Sequence, residues 1–528
     1  MSASFGSAWS AGDPSAEALL PVRHRDSQAR ADRVRAAMRT LDPRLAAALA
    51  DVNRGRDDPS VDARLAQLAG PVAFVATGQQ LGLFLGPIYT IVKALAAVQW
   101  ARRLEMEAGV PVLPLFWLQT EDHDFAEVAR WKGPAGPGAE GVAIEVELAE
   151  PEDEARIALG DRALPPDIEA AVEVVTRGLG AGLDAARVRA WIESAYRPGA
   201  GWKDAFVALL SEVARGFGLL VFDPRHPEVA RAAAPIHRVA LERHAELRAG
   251  LEARAAQLED AGFGVQVPIR GEALPFVHPD GPRGPRYRAA WVAGSWQLAG
   301  TATRVDDADV TRWLEDEPRR FSSSALLRPV VQESLLPVAA QVAGPGEVAY
   351  LAQCQPLWAA FDLQPSIIVP RPRVRLLEPW ARRLGERWDA SAADVGASVD
   401  ETLAHMAEAE GPDPDDVRGR ILSAWRTASS SVADLGADVE PARRALEARL
   451  EVTAERFAKK YDRIRQRRDA DRVAAAERLT GAFFPGGVPQ ERGFGIIPFL
   501  ARYGARHVVE RIAEAIDGES TSPMDIDL

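Results

Sequence analysis

The strongest constraint on this chain is a recurring unit: a short apolar run, a polar or glycine-bearing turn, then residues at helical spacing. "PVAFVATGQQ" opens the first, with Val72–Ala76 reading as a buried strand, and "LGLFLGPIYTIVKALAAVQWARRLEMEAG" supplies its helix. There Ile91, Ala94, Leu95 and Val98 repeat at helical spacing, Pro87 suits a helix start and Gly109 an end. "VPVLPLFWLQ" is a second strand, followed by a helix from "DFAEVARW". Leu219–Phe222 is a third, followed by an Asp-Pro turn and a helix. "LLPVAAQVAGPGEVAYLAQ" repeats the pattern, and "SIIVP" adds one more strand. Strands alternating with helices predict a parallel sheet with crossover helices. The wide spacing of the units predicts one doubly wound domain carrying insertions.

The intervening segments differ in texture. Residues 1–65 read as helical and Ala/Arg-rich and are expected to pack on a core spanning 66–375. Residues 131–204 are rich in Gly, Pro and acid; a second insertion covers 226–325, where "RYRAAWVAGSWQLAG" reads as a hairpin. Residues 376–480 form a long helical region. Leu446, Leu450, Thr453, Phe457, Tyr461 and Ile464 fall three or four apart, as do Val417, Ile421, Trp425, Ala428, Val432 and Leu435. Two such helices joined by "GADVEP" read as an antiparallel coiled-coil hairpin, or as an ordinary helical bundle. Residues 481–528 return to the core and end in "GESTSPMDIDL", which reads as disordered.

Composition excludes some classes of function. A net charge of −13 over 528 residues, with a pI near 5.3, argues against a nucleic-acid binder. No apolar run approaches the ~18 residues of a membrane span. "MSASFGSAWSAGDPSAEALLPVRHR" lacks the basic start and apolar stretch of a secretory signal, and the lone Cys354 suits a reducing compartment, so a cytoplasmic protein is expected. Of 63 Lys and Arg residues only five are lysines, which singles out Lys93 in its apolar context. Walker-type phosphate loops, HExxH, CxxC and GxSxG are absent, and "GLGAG" at Gly178–Gly182 lies between helical stretches.

Ligands of open parallel sheets bind outside the carboxyl ends of the strands, and three stretches fall there. The first runs from Thr77, Gly78, Gln79 and Gln80 to Gly86 and Tyr89, with Lys93 one helical turn on. Its glycines let backbone N–H groups approach a ligand, its helix start favours anions, and Tyr89 and Lys93 share a helix face. The second is "TEDHDFAEV", with Glu121, Asp122, His123 and Asp124. It reads as an acid/base cluster in which a neighbouring carboxylate fixes the imidazole tautomer and raises its basicity. It also reads as the cap of the following helix, through Thr120 or Asp122. As a metal site it is poor, because adjacent Asp122, His123 and Asp124 cannot all point one way. The third is Gly344-Pro345-Gly346 with Glu347 and Tyr350, preceded by "LLRPVVQESLLP", whose Arg328 is a candidate anion anchor. A plain helix start remains the alternative for the first and third.

"TGQQLGLFLGPIYTIVKA", "VPVLPLFWLQTEDHDFAEV", "LLRPVVQESLLPVAAQVAGPGEVAYLAQ" and "FFPGGVPQER", in this order and spacing over about residues 70–505, resemble the BshC family of bacillithiol biosynthesis. The resemblance implies an α/β Rossmann-like parallel-sheet core with connecting-peptide insertions, akin to class I aminoacyl-tRNA synthetases. It also implies a long α-helical antiparallel coiled coil that mediates a homodimer. The implied activity is a ligase that joins cysteine to the amine of glucosaminyl malate. On that reading His123, with Asp122 or Asp124, serves the amine. The Thr77–Tyr89 and Gly344–Glu347 turns hold anionic groups, and Arg328 and Lys93 supply charge. One departure stands out. Class I synthetases carry HxGH at the first strand–helix junction and a later KMSKS loop, whereas this chain reads "LFLGPIYT" and has no KMSKS-like segment. The activating cofactor is therefore unknown, with ATP or another nucleotide as candidates, and no metal site is evident. Another synthetase-like amide-forming or nucleotidyl-transferring enzyme, and a non-catalytic dimeric protein with a degenerate nucleotide-binding core, remain the alternatives.

Overall fold

The computed structural model describes residues 4–20, 26–136, 141–406, 411–431, 439–516, 520 and 522–528. They divide into two compact units: Met1–Ala139, Ala143–Leu376 and Gln490–Leu528 form one, and Leu377–Pro489 with Glu140–Val142 the other.

The first unit is built on five parallel strands: β1 (Pro71–Gln79), β2 (Val112–Leu118), β3 (Leu220–Phe222), β4 (Val338–Ala343) and β5 (Ile367–Pro370). Their order is β5-β4-β1-β2-β3, with every neighbouring pair parallel, and Arg39–Thr40 pairs antiparallel with the start of β1. The apolar runs are unbroken because both faces are covered. Ala73 and Val75 of β1 enter one core cluster while Val72, Phe74 and Ala76 enter another; Val112, Phe116 and Leu118 of β2 split likewise from Leu113, Leu115 and Trp117. Helix α1 (Tyr89–Ala108) packs on β1 and β2 and stops at Gly109, whose φ of 68° suits a residue without a Cβ. The sheet itself requires a glycine at 78: a Cβ there would lie 2.8 Å from the Trp117 carbonyl oxygen.

Between β1 and α1 the backbone is strained. Phe84 and Leu85 have φ of 47° and 72°, each costing about 1–3 kcal/mol. Both are buried, and the Phe84 ring meets Tyr196 at 4.6 Å and Trp131 at 5.8 Å. Packing holds the turn, so the junction where class I synthetases place histidines is here an apolar plug.

The first insertion is a hairpin (Arg130–Pro134 with Ala143–Glu147) and helices Ile168–Gly178, Ala185–Ala195 and Trp202–Val213. The second comprises helices Pro227–Glu242 and His244–Asp260 and a five-stranded antiparallel sheet ending at Phe321–Ser323. Its expected hairpin is present: Val292 pairs with Ser295 across Ala293 and Gly294, whose φ of 50° and 83° suit a two-residue turn. Helix α2 (Arg328–Leu335) leads into β4, and α3 (Pro345–Gln353) follows it. Gln490–Leu528 belong to the first unit, and part of the tail expected to be disordered is an ordered strand, residues 517–519 and 521 lying outside the described residues. Pro523–Asp527 is a strand paired with Arg373–Leu377, anchored by buried Ile526 and by Arg375 against Asp525 at 2.6 Å. The alternation in "MDIDL" is the signal that the polar residues before it obscured.

In the second unit, α4 (Pro414–Ser430) packs on α5 (Glu440–Phe483). Arg426 faces Glu447 at 3.6 Å and Gly411 lies beside Tyr461, so the two run antiparallel. Val432, Leu435 and the Gly436–Asp438 part of the connection lie outside the described residues. Much of the expected apolar stripe on α5 is exposed: Leu446, Phe457 and Ile464 are 41%, 51% and 58% exposed, while Ala454 and Ala458 are buried. Among the described residues no helix is long and apolar enough to cross a membrane.

Candidate active site

The carboxyl ends of β1, β2 and β4 open into a cleft of about 830 Å³, at the point where the strand order reverses between β1 and β4. All three strand-end stretches meet in it. Gly78, Gln79, Gln80, Tyr89 and Lys93 line it from the first, and Glu121, Asp122, His123 and Asp124 from the second. Arg328, Gly344, Gly346, Glu347 and Tyr350 line it from the third. Two expected residues lie elsewhere. The Thr77 hydroxyl is buried and donates to the Val342 carbonyl at 3.2 Å, tying β1 to β4. Gly86 borders a separate cavity, and its φ of 62° serves the strained turn.

Lys93 is not a free cation for a ligand. It is 3% exposed, and its Nζ donates to the Gly78 carbonyl at 2.7 Å and Gln79 Oε1 at 3.1 Å while pairing with Glu347 Oε2 at 2.6 Å. The same Glu347 oxygen accepts the Gly344 N–H at 2.9 Å. The ammonium thus ties the turn after β1 to the turn after β4. Burial lowers its pKa, and the Glu347 carboxylate opposes that shift. Gln79 extends the tie by donating to Tyr89 Oη at 3.2 Å. Arg328 is also engaged, by Gln332 Oε1 at 2.9 Å and Tyr350 Oη at 2.8 Å.

The acidic stretch after β2 resolves into distinct roles. Asp124 caps the short helix Phe125–Val128 by accepting the Glu127 N–H at 3.3 Å. Asp122 accepts the His123 N–H at 2.7 Å and the Gln80 amide at 2.8 Å. Burial opposes ionisation of Asp122, but the Arg286 guanidinium and these hydrogen bonds overcome it and lower its pKa. Burial raises the pKa of Glu121, whose carboxylate accepts the Ser323 N–H at 3.2 Å. The expected carboxylate–imidazole pair does not form: His123 Nδ1 stands 3.8 Å from Asp122, beyond hydrogen-bond reach. Burial, helped by the Arg286 charge, pushes His123 down to about 4, so its basicity falls rather than rises. The imidazole is neutral at neutral pH. Nδ1 is buried without a partner, which leaves Nε2 for a ligand.

Several cleft residues escaped the sequence reading. Arg286 lies 3.8 Å over the Phe276 ring and donates to the Glu121 carbonyl; burial lowers it to about 10, so it stays charged. Arg371 pairs with Glu491 at 2.7 Å, and with Arg492 it flanks the Tyr89 ring at 5.1 and 5.8 Å. Arg156, Arg288 and Arg492 line the cleft with no carboxylate in ion-pair contact among the described residues. Arg492 lies inside "FFPGGVPQER", and Arg286 and Arg288 inside "RYRAAWVAGSWQLAG", which reads only as a hairpin. The others sit in insertion segments or past the last strand, where no local pattern marks them. Among the described residues no group of three or more His, Cys, Asp or Glu could hold a metal ion.

Over residues 8–372 the chain matches the family described as "Bacillithiol biosynthesis BshC, N-terminal Rossmann-like domain". It is 32% identical over 470 residues to a protein of Solibacter usitatus, covering 87% of this chain and 85% of the relative. It is 30% identical over 498 residues to one of Koribacter versatilis (93% and 88%) and 30% over 454 residues to one of Heliobacterium modesticaldum (84% and 80%). Each of these relatives is named "Putative cysteine ligase BshC". With the Rossmann-like sheet and the strand-end cleft in place, the chain belongs to the BshC family of bacillithiol biosynthesis.

Proposed function

We propose that this protein is a cytoplasmic cysteine ligase that joins the carboxyl of cysteine to the amine of glucosaminyl malate, forming bacillithiol. The observation that carries the reading is the set of unpaired guanidiniums in the cleft of an acidic chain. Arg492, Arg288 and Arg156 have no carboxylate in ion-pair contact among the described residues, and the two substrates bring carboxylates to meet them, two on malate and one on cysteine. Amide formation also requires the amine to lose a proton. Neutral His123, with Nε2 unencumbered, is our candidate to accept it during attack. Burial, helped by the Arg286 charge, keeps that imidazole neutral, and the same guanidinium favours the ionised form of Asp122 beside it. The Lys93–Glu347 pair holds the two turns that frame the reacting groups. A carboxyl must be activated before it is attacked, and ATP is the first candidate to supply that step.

The exposed stripe of Leu446, Phe457 and Ile464 on α5 supports a homodimer formed through the helical unit. The test is mass spectrometry of cysteine, glucosaminyl malate and enzyme, with and without ATP. Bacillithiol is the expected product, and formation of a different amide instead would transfer the chain to another synthetase-like activity.

A further inference from the structure

A small side cavity of about 50 Å³ adjoins the cleft within the second insertion, and Val267, Phe276, Arg288, Ser324 and Ala325 line both. Leu251, Ile269, Leu274 and Leu326 give it an apolar stretch of wall, beside which stand His244, Arg248 and Arg270. One carboxylate faces it, that of Glu272, whose Oε2 is shut off from solvent with no hydrogen-bond partner among the described residues. A buried carboxylate oxygen without a donor is costly, and a ligand cation relieves that cost. Arg288 stands where the two cavities share lining. Its guanidinium rests on the Phe276 ring at 5.2 Å and has no carboxylate in ion-pair contact among the described residues.

We propose that this side cavity is the amino-acid subsite of the enzyme: Glu272 takes the ammonium, Arg288 the carboxylate, and the apolar wall a short side chain. The assignment rests on the ligase reading and places cysteine within it. Elimination within the cleft supports it, since the other carboxylates are engaged. Glu347 is held by Lys93, Asp122 by Gln80 and its own turn, Glu121 by the Ser323 N–H, Asp124 by its own helix, Glu127 by Gln80 and Glu150 by Arg162. A thiol behaves as a small hydrophobe with a weak donor, so an apolar wall accepts it and disfavours a hydroxyl that finds no partner. Arg288 on the shared lining leaves the carboxyl group towards the main cleft, where His123 and Arg492 lie.

The test is calorimetric titration of the full chain with L-cysteine, cysteamine, which lacks the carboxylate, and 3-mercaptopropionate, which lacks the amine. Glu272→Gln is expected to weaken cysteine and cysteamine by about tenfold or more, leaving 3-mercaptopropionate within about twofold of wild type. Arg288→Gln is expected to do the reverse, weakening cysteine and 3-mercaptopropionate and sparing cysteamine. In the wild type alone, the three thiols should compete for one site, a result that no folding defect in a variant can mimic. Bacillithiol formation by both variants with an unchanged KM for cysteine overturns the subsite and leaves the ligase reading standing. Equal loss of all three thiols in both variants, at an unchanged melting temperature, also overturns the subsite. A wild type that neither binds cysteine nor forms bacillithiol overturns the ligase reading itself.

Discussion

The two sides of the cleft are built on different electrostatic terms. On the side formed by the strand ends, charged groups have partners: Lys93 pairs with Glu347, Asp122 and Glu127 accept from the Gln80 amide, and Asp124 caps its own helix. On the side laid over them by the second insertion and the segment after Gln490, Arg288 and Arg492 are unmatched, and Glu272 has an orphaned oxygen. Matched charges have spent their hydrogen-bonding capacity on the fold and act as scaffold. Unmatched ones retain it for a ligand. Position in a cleft is therefore a weaker guide to a binding role than the state of a residue's partners.

The largest effect expected from this contrast is at His123, the residue of the strand-end side whose Nε2 is uncommitted. His123→Asn should lower turnover by about 10²–10⁴-fold with an unchanged melting temperature. Near-normal turnover would remove the base from that side altogether. Next is the tie itself. Lys93→Met strands the Glu347 carboxylate and should cost about 3–5 kcal/mol in urea denaturation, along with most of the activity. Lys93→Arg should not restore it, because a planar guanidinium does not fit the three acceptors around a buried ammonium. If Lys93→Met kept full stability and only raised a substrate KM, Lys93 would belong with the binding side instead. Arg492→Met should do the opposite of Lys93→Met. It should raise the KM for glucosaminyl malate by about tenfold or more with little change in stability, as read from steady-state kinetics and thermal melts.

The effect least specific to the cleft is on stability against pH. Burial holds His123, His237 and His278 at about 4, 4 and 3, below the ordinary 6.5. The unfolded chain takes up these protons from about pH 6.5 downward and the folded chain only near 4, so stability present above that window is lost as pH falls through it. Glu333, pushed up to about 7 by burial, works in the opposite sense: its contribution is present at low pH and lost as pH rises through 7. Three groups against one predict a melting temperature that falls between pH 6.5 and 4.5, with a shallower fall in His123→Asn.

The parallel sheet was legible because each buried strand is a local apolar run and each crossover a local helical period. Even its cleft was legible, since the strand ends carry the turns. Partner-dependent properties were not. Lys93 looked like a substrate cation until Glu347, far along the chain, was found beside it. Asp122 looked like the partner of the neighbouring imidazole, but its oxygens go to a backbone N–H and to Gln80. The Leu446–Phe457–Ile464 stripe has coiled-coil spacing, yet its burial within the chain falls to the alanines beside it.

By itself the sequence determined the order of strands and helices, the strand-end position of "TGQQ", "TEDHD" and "GPGE", and the BshC resemblance. The first two depend on residues close together in the chain, and the third on the order of such local stretches along it. Tertiary structure alone decided which charges are consumed by the fold and which remain for a ligand. Ion pairing and desolvation depend on groups that only folding brings within a few ångströms, and neither leaves a trace in local spacing.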